Sequence, residues 1–304
     1  MLETAPMLQR LAPRFALSES EQRFLGPLRV DEMLALLDDP ETTHALRATI
    51  GDRLALLPGG DPRPGVGLRP DGLPDIAWHE IPGGEVELAV DPSGLLRRWR
   101  GRPRFAAEPF RIARHPVTVA QWRVFLAAAD GYDALVRRVR GCEAAYQRGR
   151  DNQPAVDLTW YEAMAYCEWL SVALGHMVRL PTEWEWQLAA SGGDPLRAYP
   201  WGAFNVNRAN TVESALGRMT AVGLHPSGAS ADGVLDLAGS VWEWCLNRFD
   251  KPGNVTTGRD APRVVRGGSW YDNRFGARCA FRTFDVPGSR GDNIGLRLVS
   301  LSPS

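Results

Sequence analysis

The sequence predicts an α+β fold, rich in irregular loops and preceded by a short helical segment. Three observations predict it. A helix-start signature recurs three times between residues 118 and 185. From Tyr199 onward Gly, Asn and Pro are dense and apolar runs are short, the pattern of a few strands joined by long loops. A stretch crowded with Pro and Gly, from Pro58 to Gly67, marks a sharp change of composition near the N-terminal end.

Residues 1 to about 57 read as an N-terminal helical segment. Asp31 to Leu37 and Glu41 to Leu57 carry apolar residues at roughly helical spacing. Residues 58–74 read as a Pro/Gly-rich linker, and the main domain is placed at 75–304. Within it, helices are expected to start at Thr118 with Gln121, at Thr159 with Glu162 and at Thr182 with Glu185. In each, a threonine hydroxyl and an acid or amide three residues on satisfy orphan backbone amides. The second of these should run from Trp160 to about Leu174 and stop at Gly175.

With 304 residues, 44% of them hydrophobic and 23% charged, the chain can bury a full core. The formal net charge of -1 supplies no electrostatic reason for a nucleic-acid or anionic-membrane partner, and neither is expected. The four cysteines (Cys142, Cys167, Cys245, Cys279) are far apart and make no zinc or redox signature. No signal-peptide pattern or membrane-span run is present, so a cytoplasmic protein with reduced thiols is the expectation.

The segment from Arg263 to Val299 is the most informative. A framework of Gly267, Gly268, Ser269, Trp270, Arg278, Arg282, Pro287, Arg290, Gly295 and Arg297 surrounds short runs with neither a twofold nor a 3.6-residue period. Those runs hold Tyr271, Asp272, Asn273, Phe275, Gly276, Phe281, Thr283, Phe284, Asp285, Val286, Ser289, Gly291, Asp292 and Asn293. Aromatic, small and Asp/Asn residues without a core period are the chemistry of a binding surface. Trp270 is expected to anchor the segment in the core. Arg282 and Arg297 are expected to brace loop carbonyls or a buried carboxylate such as Glu243.

Seven blocks along the chain resemble the formylglycine-generating enzyme family. They are Trp78–Glu85, Ile112–Thr118 with Trp122 and Phe125, Pro154–Trp160, Arg179–Glu185, Tyr199–Gly202, Asp236–Trp244 and Gly267–Trp270, in the family's order. The resemblance implies an elaborated C-type-lectin-like fold. It also implies, for the family's oxidases, a copper-binding cysteine pair just after the GGS segment; here Trp270 to Arg278 holds no cysteine. A second branch, the sulfoxide synthases, carries an iron-binding histidine cluster on an N-terminal helical domain, where this chain has only His44. Family members often bind calcium near the GNxWEW segment, which makes Asn210, Ser240 and Glu243 the candidate ligands, with Ser240 standing where the family has asparagine.

The C-terminal pattern is similar to that of variable proteins of diversity-generating retroelements. In that family adenine-directed errors restrict varied positions to residues encoded by NNC, excluding Lys, Gln, Glu, Met and Trp. All fourteen positions named above satisfy this restriction. The resemblance implies a non-catalytic binding protein, not an enzyme, with no resident cofactor and an unidentified macromolecular ligand, protein by preference. An oxidase with an unrecognised site and an undiversified lectin-like interaction module are the alternatives.

Overall fold

The computed structural model describes residues 25–88, 103–136, 149–257 and 261–301. The first 24 residues of the expected helical segment lie outside the described residues. Its remainder forms two helices, α1 (Val30–Asp38) and α2 (His44–Leu54). Thr43 caps α2 by accepting the Leu46 amide at 3.3 Å. Leu25, Met33, Leu37, Ile50 and Leu54 bury themselves against Ala221 and Leu224 of the main domain. Each such side chain contributes about 1.5–3 kcal/mol, so this helical pair is docked on the main domain.

Residues 58–74, the Pro/Gly-rich stretch, are likewise held against the main domain. Asp61 is gripped by Arg63 at 2.7 Å and by Asn152 at 2.8 Å. The Gln121 amide donates to the carbonyls of Gly65 (3.1 Å) and Asp75 (2.6 Å), and the Thr118 hydroxyl donates to Val66 at 2.8 Å. Pro and Gly prevented regular structure here without preventing contact, because the side chains of the next helix satisfy the irregular backbone.

All three expected helix starts are present. The helices are α3 (Val119–Ala127), α5 (Trp160–Leu174) and α6 (Glu183–Ser191), each with its threonine and its Gln or Glu completing a reciprocal cap. A short α4 (Tyr132–Val136) lies between the first two. Gly175 and Gly192 end α5 and α6 in the left-handed conformation that spares glycine a Cβ clash.

Three small sheets complete the α+β architecture. In the first, β1 (Trp78–Ile81), β4 (Phe110–Ala113), β10 (Val299–Ser300) and β5 (Val178–Arg179) lie in that order, so the end of the described chain is clamped between earlier strands. The second is the hairpin of β2 (Gly84–Glu87) and β3 (Arg104–Ala107). The third orders β8 (Arg282–Asp285), β7 (Arg263–Arg266), β6 (Trp242–Arg248) and β9 (Ile294–Leu296), with β9 parallel to β6. One core packs Trp122, Phe125, Tyr166 and Trp169 around α3 and α5. A second lies under Trp186, Leu237, Val264 and Val299.

Charge is buried between these cores. Arg297 donates to Glu243 at 2.7 and 2.9 Å and to the carbonyls of Ala113, Arg114 and Leu235 at 2.8 Å each. Trp186 Nε1 adds a bond to Glu243 at 2.7 Å. Arg282 forks onto Glu183 with two bonds of 2.8 Å, and Arg266 approaches the same carboxylate at 3.4 Å. These side chains have no solvent exposure. The expected bracing by Arg282 and Arg297 is therefore present, with Glu183 as the partner of Arg282.

Two predictions follow from this packing. Arg297→Met leaves Glu243 buried without its cation and should cost about 3–5 kcal/mol. The thermal melt should drop by on the order of 10 °C, and adding Glu243→Gln should restore part of it; a single variant melting with the parent would refute the pair's structural role. The second prediction concerns acid. Burial pulls His115 down from 6.5 to about 4 and His225 down to about 3, each opposed by Asp236 nearby, and His44, which bonds His225 at 3.0 Å, is lowered too. A folded pKa below the unfolded one means that protonation favours unfolding, so this stability is whole above pH 6.5 and lost as pH falls from 6.5 toward 3. Melting temperature should fall through that window, and His225→Asn should flatten the slope.

Candidate functional site

The C-terminal segment is built as a fixed frame with residues set out from it. β7 is followed by Gly267 and Gly268, whose φ of +101° and +74° lie in the region that favours glycine. A Cβ at Gly268 would meet the Ala277 backbone at 3.0 Å, so the two glycines let the loop 269–281 fold tightly back. That loop is plugged from beneath by Ala277 and Cys279, both fully buried. It returns along β8, which pairs residue for residue with β7. The last loop is latched onto the start of α5. Arg290 donates to Glu162 at 2.7 Å and to the Asp157 carbonyl at 2.8 Å, and the Trp160 amide donates to Pro287 at 3.0 Å.

Thirteen of the fourteen positions set apart in the sequence are exposed or half-exposed; Gly276 is the buried one. Tyr271 is 72% exposed, Phe275 49%, Val286 51% and Phe284 37%, values that belong to display, since large apolar side chains of a core are covered. Asn273 and Asp292 are also exposed, and Thr283, Asp285, Ser289, Gly291 and Asn293 are half-buried. Phe281 is half-buried and packs against the core beside Trp242, with ring centroids 6.0 Å apart. Phe284 leans on Phe249 at 4.6 Å.

A cleft of about 520 Å³ opens between these residues. Its floor is Trp242, Val265 and Ile294, from three adjacent strands, and its walls include Phe281, Phe284 and Asp285. Trp242 belongs to the core and to the cleft alike, and it is not among the fourteen positions that the sequence sets apart. The signal available was its place at the head of β6, where alternate side chains change face.

The structure corrects several expectations. Trp270 is half-buried, edge-on to Tyr271 at 5.6 Å, and does not anchor the segment. The anchor is Asp272, one of the fourteen aperiodic positions. Its Oδ2 accepts from Trp242 Nε1 at 2.8 Å, from the Ser269 amide at 3.1 Å and from the Ser269 hydroxyl. Arg278, expected in the frame, is exposed and lies over the Phe275 ring at 4.8 Å. Among the calcium candidates, Glu243 spends both oxygens on Arg297 and Trp186. The Asn210 side chain is taken up by Arg218, Thr220 and Ser214, while Ser240 meets Asn210 only through the backbone. A carboxylate neutralised by a guanidinium has no charge left for a hard cation, so these three do not form a calcium site.

The donors for a soft metal do not fit either. Burial pushes the thiols of Cys167 and Cys245 far up and that of Cys279 up to about 12, which keeps them protonated. Cys279 faces the Ala190 carbonyl at 3.6 Å and Cys245 the Glu243 carbonyl at 3.9 Å. Cys142 lies outside the described residues. Among the described residues no three His, Cys, Asp or Glu side chains are grouped to hold a metal. Nor is any described helix long and apolar enough to cross a membrane.

Comparison with known proteins places this geometry. Residues 77–301 match the model of the sulfatase-modifying factor enzyme 1-like domain. The chain is 32% identical over 297 residues to hercynine oxygenase of Mycolicibacterium thermoresistibile, covering 80% of this chain and 64% of that protein. It is 33% identical over 179 residues to the formylglycine-generating enzyme of Streptomyces coelicolor, covering 50% of this chain and 54% of that one. Among solved structures, Treponema denticola variable protein 1 superposes with a TM-score of 0.58 at 20% identity, over 75% of this chain and 95% of that chain, a likeness of fold. The chain thus spans less than two thirds of the length of these curated relatives. The lectin-like fold expected from the seven blocks is present. The expectation that the protein is not an enzyme is overturned, because relatives at about 32% identity over most of the chain are named as enzymes.

The site's geometry separates Asp272 from its neighbours experimentally. Asp272→Ala strands three donors and should cost about 1–3 kcal/mol, whereas Asp292→Ala, at an exposed side chain with no hydrogen bond or ion pair among the described residues, should stay within about 0.5 kcal/mol. Urea denaturation of the two variants checks this, and equal midpoints would remove Asp272 from the frame.

Proposed function

The chain belongs to the sulfatase-modifying factor enzyme 1-like family, and we propose that this member recognises a macromolecular ligand through its C-terminal face, which a retroelement diversifies. The observation that carries the reading is the division of labour within residues 267–297. Gly267, Ser269, Arg282 and Arg297 are buried and bonded, while thirteen of the fourteen NNC-compatible positions reach solvent and eight of those line one cleft. Substitutions at exposed positions usually cost within about 0.5 kcal/mol, so such a face can vary while the fold persists. Its backbone is fixed before binding, which limits the ordering cost on association. Recognition here leaves room for catalysis elsewhere in the chain.

A second reading, a metal-dependent oxidase, is favoured by the 32% identity to hercynine oxygenase. The described thiols and carboxylates do not supply a ligand set for it. Oxygen uptake on addition of copper and a cysteine peptide would establish that reading.

Sequencing codons 263–299 and the downstream flank across a population of source cells tests the main proposal. Variation should be confined to the fourteen positions, beside a near-copy of the segment carrying AAC codons there. An invariant segment with no neighbouring template would overturn diversification.

A further inference from the structure

Resting on the recognition reading above, we propose that the cleft of this chain accepts a basic side chain, arginine or lysine, presented by a protein partner. The first ground is a carboxylate held in wait. Three donors hold Asp272 through Oδ2, and Oδ1, on the same cleft-lining group, takes no donor among the described residues. Trp242 and Ser269 thereby fix the position of an anion whose remaining acceptor is unused. A pre-positioned acceptor loses little entropy when a donor arrives.

The second ground is the balance of charge. Asp285 also lines the cleft; among the described residues its Oδ1 accepts only the adjoining Val286 amide, at 2.7 Å, and it makes no ion pair. No Lys, Arg or His lines the cleft among the described residues. An acidic partner would bring a like charge to Asp272 and Asp285, and a purely apolar one would cover both without pairing them. A guanidinium or ammonium group pairs them.

The third ground is the lining itself. Trp242, Phe281 and Phe284 present aromatic surface, and Val265 and Ile294 form an aliphatic floor. Arg and Lys bury their alkyl stems on such surface while the charged head reaches polar groups, and a cation over a ring gains further attraction. Phe275 on the rim of the same face already carries the guanidinium groups of Arg274 and Arg278 at 5.2 and 4.8 Å. The cleft volume of about 520 Å³ falls within the range of about 300–1,000 Å³ common to ligand pockets. A side chain with both stem and charge matches stem-binding floor and charged wall together.

The test is selection of a random peptide library displayed on phage against the full chain, followed by binding measurements on the enriched peptides. Two variants serve as comparison targets, Asp285→Asn and the double variant Phe275→Ala with Phe284→Ala, each shown by thermal melt to be folded. Enriched peptides should carry Arg or Lys, lose at least tenfold in affinity to Asp285→Asn, and lose binding to the double variant. Peptides that need Phe275 and Phe284 but are neutral or acidic, or are indifferent to Asp285→Asn, would overturn the basic side chain and leave the recognition face standing. Peptides that bind the double variant as well as the parent, or no enrichment at all, would overturn both.

Discussion

The structure depends on two carboxylates that have no contact with water. Glu183 and Glu243 each sit where a strand, a helix and an irregular loop converge, and each is met by arginine from the C-terminal segment. Three short sheets and long loops cannot satisfy their backbone groups by ladders alone. A guanidinium with five donors is the side chain able to bond a carboxylate and several carbonyls at once. Arg297 does this for Glu243 and for carbonyls at the end of β4 and in the loop at Leu235, and Arg282 for Glu183 and the Phe249 carbonyl. Burying such pairs is costly unless every donor is used. That cost fixes the geometry, because a shifted arginine would leave bonds unmade.

This constraint explains how the same segment can be both frame and display. Residues between Gly267 and Arg297 alternate between side chains committed inward and side chains turned out. Gly267, Gly268, Ala277 and Cys279 hold the first loop down, while Tyr271 and Phe275 stand on it. Arg290 ties the last loop to Glu162, a residue that also caps α5 and accepts from Tyr132. The loop is thus attached to the most regular helix of the molecule, and the residues it carries outward take little part in holding it.

How far this could be read from sequence depends on the range of the interaction. Thr118, Thr159 and Thr182 start their helices where expected because a capping box is complete within four residues. That most of the fourteen positions lie outside the core was also legible, since a missing period is itself a local signal. Contacts that join distant segments were not. Nothing near Leu54 announces Ala221, and nothing near Pro64 announces that Gln121 will hold the chain at Gly65 and Asp75. Likewise Trp270 looks like a core tryptophan and lies half out, because the anchoring falls to the Ser269–Asp272 turn and the Trp242 indole across the strand boundary.

Asp272 is where frame and display meet. A freely varied position should touch nothing that the fold needs, yet this carboxylate holds Ser269 and Trp242 together. The conflict is limited by location. Asp272 is half-buried at the edge of the cleft, and replacing it strands donors on buried Ser269 and Trp242 at a cost of about 1–3 kcal/mol, one position's worth of stability. The buried carboxylates are costlier to disturb, about 3–5 kcal/mol for a broken pair, and Glu183 and Glu243 lie in the interior while the aperiodic positions lie at its edge. Under the diversification proposed for this face, Asp272 would tighten the loop in one version and be given up at that cost in another, while the arginine-bound interior keeps its geometry beneath both.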